Sequence, residues 1–510
     1  MQRKQGNRSK KKAISQSFQE ARASWSRILV FLMCLFVIPM LSVIRSNTYY
    51  MEDQEILVHA GGLWHGRYGA LLVGRLMSMN RRVFDVSPLS QILAALMMAL
   101  SGIILISLMH EGDEKETDWR KPALWCEAAA MALLFLFPYM IGVISYKYES
   151  VVAAAAYLAA VLPFLFHKSW KRFFLASLIG MTFVCTTYVA SSGAYFVTMA
   201  FLAYHFWSHE QKSAGETAAF AGCALGAASA AALLSKLMPG APMGTDVQYL
   251  PAVRELPGVF AANIREYYQL IMEDFHGIQV ILIAAIFVCA LVLMVISSSR
   301  NRAVSFAAAL AAMLFAFAAV FGYYTFSGVP KTPANMSAFG YLLALAAHQM
   351  VYAAGPAAPG ERSSAAVILL TLPSIVLIWF FCSFWTFFGN ELAEQSRFVE
   401  YQMLELTTDL NHLQTSEMGK RTISFEGDMG YSMPVSDQIE QNPLLKHLLP
   451  GTKANDSWNV YRQLYEYGLK NLTLQEGQDS PDKEELPVCA ETRSYTIYGN
   501  DENVIVCWKN

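Results

Sequence analysis

The sequence predicts a polytopic α-helical membrane protein of about eleven transmembrane helices, followed by a small extracytoplasmic α/β domain. Three observations predict it. Hydrophobic residues make up 55% of the chain and charged residues 15%, with a mean hydropathy of +0.32, a balance that would expose too much apolar surface in water. The apolar residues gather in runs long enough to cross about 30 Å of hydrocarbon. The last 120 residues contain no such run and read as a separate module. A formal charge of −2 carries no basic excess, and nothing points to nucleic acid.

Residues 1–27 are polar and basic, with Arg3, Lys4, Arg8, Lys10, Lys11, Lys12, Arg22 and Arg27. Their length, and the lack of a small-residue cleavage pattern after the first apolar run, read as a cytoplasmic tail rather than a removable signal. Residues 28–390 form the membrane domain. Its first span, 28–44, is followed by spans at 88–110, 123–144 and 151–166. The run 173–207 would reach about 50 Å as one helix, so it divides near Ser191, Ser192 and Gly193. Spans at 217–237, 278–296, 303–326, 336–354 and 365–388 complete the set. Alanine and glycine dominate 217–232, as close helix packing requires. With the amino terminus inside, Lys115, Arg120 and Lys121, then Lys168, Lys171 and Arg172, then Lys212, Arg300, Arg302 and Arg362 all fall on the cytoplasmic side. The outer side receives the loops 45–87 and 239–277, the turn 146–150, the loop around Lys331 and everything after Asn390.

The stretch 47–74, NTYYMEDQEILVHAGGLWHGRYGALLVG, places Glu52, Asp53 and Glu55 just beyond the first span and Trp64, Arg67 and Arg75 soon after. Charged groups near hydrocarbon cost free energy unless paired, hydrated or used. They form either a site or an ordinary hydrated loop whose arginines touch lipid head groups. The stretch reads as two short interfacial helices broken at Gly61 and Gly62. In the second, Tyr68, Leu71, Leu72, Leu76 and Met79 form an apolar stripe. Arg75 falls within that stripe and must snorkel to the head groups or meet a buried anion such as a lipid phosphate. Glu55 and His59 have a metal-ligand spacing but no third ligand, so no metal site is assigned, and a divalent cofactor is left open. A second polar island, SYKYES at 145–150, is either a tight turn or a partner for the acids. As a turn it sets Glu149 at the positive end of the following helix, with Tyr146 and Tyr148 as interface anchors. As a partner it brings Lys147 and Glu149 against Asp53 on the same membrane face.

YYMEDQ, then WHGR, then FPYMIGVISYKYESVVAAAAYLAAVLPF, then TTYVASSGAYF follow one another over roughly residues 45–200. This ordered set resembles the bacterial type II Gtr glucosyltransferases of serotype conversion, membrane enzymes of the GT-C class. Those proteins share an acidic pair after the first span, a downstream Trp and Gly-Arg, a Lys-Tyr-acid-Ser turn and a Tyr-Gln-Ala-Ser segment. Here Glu52 stands where the family usually has Asp, Glu149 replaces an Asp, Glu55 occupies a frequent Arg position, and Val189 replaces the Gln. The acid-for-acid changes keep the chemistry open; the last two bear on sugar or acceptor specificity. The resemblance implies transfer of a sugar, glucose in the family, from a polyprenyl-phosphate donor to a surface glycan such as O-antigen. Transfer would occur on the outer face of a bacterial inner or plasma membrane, by inverting displacement. Asp53 or Glu52 would be the base, with Glu149 a further catalytic carboxylate. Arg67, Arg75, Lys147 and Lys331 would hold the donor phosphate, and Trp64, Tyr148 and Tyr188 the sugar or acceptor. A lipid-linked glycan polymerase or flippase would use similar outer loops. A small-molecule transporter fits less well, since no internal repeat is evident and the polar residues collect in loops.

In the tail, 391–417 reads as a helix leaving the membrane, and 421–425, 494–498 and 504–508 as strands, the last two joined as a hairpin over 499–503. Trp458, Tyr461 and Tyr465 suit either sugar faces or core packing. Cys34, Cys126, Cys185, Cys223, Cys289 and Cys382 lie in apolar spans as packing residues. Cys489 and Cys507 alone share the outer domain. They are expected to form a disulfide, worth about 3 kcal/mol on the chain-entropy model.

Overall fold

Every apolar run of the sequence becomes a helix, because a backbone surrounded by hydrocarbon must satisfy its own N–H and C=O groups within the segment. The computed structural model describes residues 2–51, 53, 66–80, 83–110, 120–238, 254–328, 331–354, 364–413, 421–449, 452–453, 457–469, 472–475, 483 and 486–509. The chain divides into two units, Met1–Leu41 with Ala60–Thr386, and Ser42–His59 with Phe387–Asn510.

The first unit is helical. In order it holds α1 (Gln2–Ser46), α2 (Tyr68–Ser78), α3 (Leu89–Met109), α4 (Pro122–Leu136), α5 (Ile141–Ile144), α6 (Glu149–Val161), α7 (Trp170–Thr186) and α8 (Ser192–Ser208). There follow α9 (Ala214–Lys236), α10 (Leu256–Asp274), α11 (Ile278–Ser297), α12 (Arg302–Ala318), α13 (Phe339–Ala354) and α14 (Ser364–Leu413), the last continuing into the second unit. A helix stands at each of the eleven expected places. Among the described residues seven are long and apolar enough to cross a membrane, or eight if α4 and the segment Pro138–Ile144, bent by 49°, count as one span. Helices α7, α8 and α13 have 17, 17 and 16 residues, about 25 Å each, so length alone does not establish eleven crossings. The bend follows from Pro138, which cannot donate to the preceding turn.

Helix α11 shows how the bundle meets its surroundings. Ile283, Ile286, Ala290 and Met294 are buried on one stripe, while Ile281, Val288, Val292 and Ile296 are exposed on the other. Two apolar faces on one helix suit a protein core on one side and lipid on the other. In α9 a Ser213–Glu216 capping box opens the helix. Its small residues Ala224, Ala227, Ala228 and Ala231 are buried, and the helix packs closely against α7.

The second unit is α/β. Strands β1 (Arg421–Glu426), β2 (Asp428–Gly430), β3 (Thr452–Lys453), β4 (Leu472–Leu474), β5 (Val488–Glu491), β6 (Tyr495–Gly499) and β7 (Asn503–Trp508) form a five-stranded sheet in the order β4-β1-β7-β6-β5, with β2 and β3 as a separate pair. The expected hairpin is β6–β7, in register from Tyr495↔Trp508 to Gly499↔Val504. Its turn is fixed by the Asn500 side chain, which accepts from the backbone N–H groups of Glu502 and Asn503. Strand β1 pairs parallel with both β7 and β4. Ile423, Phe425, Ile497, Val504, Val506 and Trp508 face a core completed by Met403, Leu406 and Leu410 of α14.

Two expectations change. The helix expected from residue 391 is the uninterrupted continuation of the last span. Gly389 does not break it, and a Cβ there would meet Ser42 Oγ at 2.4 Å, so glycine serves close packing at that point. The expected Cys489–Cys507 disulfide is absent and both thiols are free. Cys489 lies on β5 and Cys507 on β7, with β6 between them. Two strand spacings, about 9.5 Å, exceed the roughly 7 Å of Cα separation that a disulfide tolerates. Of the tail aromatics, Tyr461 donates its hydroxyl to Leu472 O at 2.8 Å and packs on the core, and Tyr465 is exposed. The Trp458 side chain lies outside the described groups.

Candidate active site

Helix α2 brings the first functional side chain into place through a glycine. Its buried face is Gly69, Ala70 and Gly74. A Cβ on Gly69 would meet Thr187 Cγ2 at 2.5 Å, so only glycine lets the start of α2 lie against the end of α7. That approach sets Arg67, the residue capping α2, beside the interruption between α7 and α8, where residues 187–191 leave the α-helix. The Arg67 guanidinium donates to the Thr187 carbonyl from Nε at 3.1 Å and Nη2 at 2.9 Å. It also meets Glu149, with Nη1 at 2.5 Å from Oε1 and Nη2 at 3.4 Å from Oε2. About a fifth of each side chain remains exposed, 20% for Arg67 and 17% for Glu149.

Glu149 stands in the first turn of α6, where the helix dipole also favours its negative charge. Burial works against the Arg67 charge, but the field of Glu149 and the hydrogen bonds to it outweigh burial and raise the guanidinium pKa. The result is a fixed cation whose planar fork ties three chain segments together.

Around this pair the structure distributes the other expected residues. Lys147, buried, places Nζ 3.2 Å from Asp85 Oδ2, and its carbonyl accepts from the Ser90 hydroxyl at 2.6 Å. Tyr148 is buried immediately before α6. Tyr188 donates its hydroxyl to Ala334 O at 2.8 Å, and its ring lies 6.3 Å from that of Tyr157, whose hydroxyl pairs with Ser337 at 2.5 Å. Lys331 sits 3.7 Å from Glu266 Oε2 and 5.9 Å from the centre of the Phe321 ring. Burial lowers its pKa, and Glu266 only partly offsets this. Arg75 is exposed on α2, as are Tyr68, Leu72, Leu76 and Met79. With Leu71, half-buried, these four are the residues of the expected apolar stripe, Met79 following the last residue of α2.

Asp53 belongs to the second unit. It is buried, and its Oδ2 accepts from the Tyr50 N–H at 3.1 Å. Tyr50 in turn donates its hydroxyl to Leu448 O at 2.5 Å and packs against Phe388, ring centres 6.3 Å apart. Glu52, Glu55, His59 and Trp64 lie outside the described residues.

One reading of the sequence set Lys147 and Glu149 against Asp53 and the other made them a tight turn; within the first unit Glu149 pairs with Arg67, and Lys147 with Asp85. Asp85, Glu266 and the Thr187 carbonyl were not anticipated. Asp85 was recoverable, because an acid three residues before Pro88 flanks a span as Asp53 does. The Thr187 carbonyl carries no signature in a sequence.

A bundle of apolar helices whose ionised side chains collect at helix starts and breaks is a membrane protein with its polar chemistry at the helix ends. The family model for the glucosyl transferase GtrII matches residues 41–347, more than half of the chain, and the protein belongs to that family. It is therefore a membrane glucosyltransferase acting on glycans. No curated protein and no solved structure matches it.

Proposed function

We propose that the protein transfers glucose from a polyprenyl-phosphate donor to a surface glycan at the outer face of a bacterial inner or plasma membrane, by direct inverting displacement. The observation that carries this reading is Arg67, an arginine held in place by Thr187 and Glu149 at the foot of α6 and still partly exposed. In this reading eleven crossings with a cytoplasmic amino terminus would set that group outside, an orientation the basic short loops support.

In the proposed reaction the acceptor hydroxyl oxygen bonds to the anomeric carbon as the bond from that carbon to the phosphate oxygen breaks. A carboxylate takes the hydroxyl proton, and polyprenyl phosphate leaves with the bonding electrons. Arg67 offers its remaining N–H groups to the developing charge on the phosphate, a preorganised arrangement that needs no reorientation. Lys331 and Lys147 are further phosphate partners, and Arg75 meets lipid phosphates at the surface. Tyr148, Tyr188 and Trp64 are the side chains assigned to the sugar or acceptor. Glu149, engaged by an arginine at 2.5 Å, positions Arg67, and the proton goes to Asp53 or Glu52. The test is Asp53→Asn in isolated membranes. We expect normal protein levels with transfer lowered about 100-fold or more; near-normal transfer would remove Asp53 from the role and pass it to Glu52.

A further inference from the structure

Glu127 is the only carboxylate between Pro122 and Lys147, and it lies buried in the apolar helix α4. A carboxylate in such a place requires a compensating charge or donor. Two histidines meet it. His110 Nε2 lies 2.6 Å from Glu127 Oε2, and His348 Nε2 lies 3.3 Å from the same oxygen. The second approach lacks hydrogen-bond geometry, and among the described residues His348, fully buried, has no hydrogen-bond partner on either ring nitrogen. One donor atom from each of the three residues falls within 4.8 Å of the others.

We propose that His110, Glu127 and His348 hold a divalent transition-metal ion of the zinc class, which clasps the end of α3 to α4 and α13. Such an ion takes imidazole nitrogen and carboxylate oxygen at about 2.0–2.2 Å, which separates neighbouring ligand atoms by roughly 3.3 Å in a tetrahedron. The His348–Glu127 spacing already matches, and the His110–Glu127 contact would open by about 0.7 Å. Two nitrogens and one oxygen exclude magnesium and calcium, which prefer all-oxygen sites. Three protein ligands leave a tetrahedral position for water. The cluster is distinct from the Arg67 site. Ser90, at the start of α3, bonds the Lys147 carbonyl, whereas His110 follows the last residue of that helix, about 30 Å along its axis. The role inferred for the ion is therefore to brace the bundle, not to take part in transfer.

The test uses full-length protein purified in detergent without a polyhistidine tag, stripped with a chelator and titrated with Zn²⁺ by equilibrium dialysis. We expect uptake of one equivalent, weakened at least tenfold by His348→Gln and by Glu127→Gln and unchanged by His276→Ala, an exposed histidine. X-ray absorption of the zinc-loaded wild type provides a readout that needs no variant to fold, and it should show two imidazoles and light-atom scatterers near 2.0–2.1 Å. No stoichiometric uptake, equal affinity in folded His348→Gln, or a first shell without imidazole would each overturn the proposal.

Discussion

Replacing Arg67 and Glu149 singly and together separates the two roles the pair can play. Arg67→Met removes two contacts to Glu149 and two to the Thr187 carbonyl, and leaves a mostly covered carboxylate without its cation. Charge-assisted hydrogen bonds contribute about 1.5–3 kcal/mol each in buried settings. With about a fifth of each side chain exposed, solvent screening places the loss for either single variant near 2 kcal/mol. Glu149→Gln should cost a similar amount. The double variant strands no charge, so it should lose about as much as one single variant rather than their sum. Transfer should behave differently. If Arg67 stabilises the leaving phosphate, Arg67→Met and the double variant should both lose about 100-fold or more in kcat. Glu149→Gln, which only loosens the arginine, should lose roughly 10- to 100-fold. Thermal unfolding in detergent reads the stability cycle, and transfer in reconstituted vesicles reads the activity. Recovery of both stability and transfer in the double variant would reduce Arg67 to a structural tie, and strictly additive stability losses would refute the coupling itself.

Gly69→Val should displace α2 from Thr187, because its Cβ alone would sit 2.5 Å from Thr187 Cγ2. A loss of about 1–3 kcal/mol with transfer falling alongside is expected, and a fully stable, active variant would contradict the packing account. Lys331 has a folded pKa below its ordinary 10.5 because of burial. Just below pH 10.5 the unfolded chain therefore binds more protons than the folded one, and stability rises with pH through that window. Lys331→Met should remove this alkaline component of the unfolding profile; an unchanged profile would refute it. In the second unit, mass spectrometry without reductant should find Cys489 and Cys507 both alkylated. Cys507 should react more slowly, since burial and the neighbouring Glu426 push its thiol up to about 11. An intact bridge would overturn the strand order that separates them.

Features written in local pattern were legible in the sequence. The apolar runs placed the helices of the expected spans, the three- and four-residue spacing from Tyr68 to Met79 gave α2, and alternation around Gly499–Asn503 gave the β6–β7 hairpin, whereas α10 falls in a stretch read as an outer loop. Partnerships between distant segments were not legible. Arg67 and Glu149 are 82 residues apart, and either could have paired with several other charges on the same face. The parallel pairing of β1 with β7 joins strands about 80 residues apart with no turn to mark it. The disulfide expectation failed for the same reason, because two nearby cysteines do not reveal which strand lies between them. Glu127 carries no local signature within its span, since its histidines come from two other segments.

The most direct measurement supplies purified protein in vesicles with polyprenyl-phosphate glucose or nucleotide-linked glucose, together with a bacterial surface glycan, and follows both products. The account predicts release of polyprenyl phosphate one-for-one with glycan that has gained glucose of inverted anomeric configuration, while the nucleotide sugar stays intact. Transfer from the nucleotide sugar, or a product that retains the donor's anomeric configuration, would contradict it.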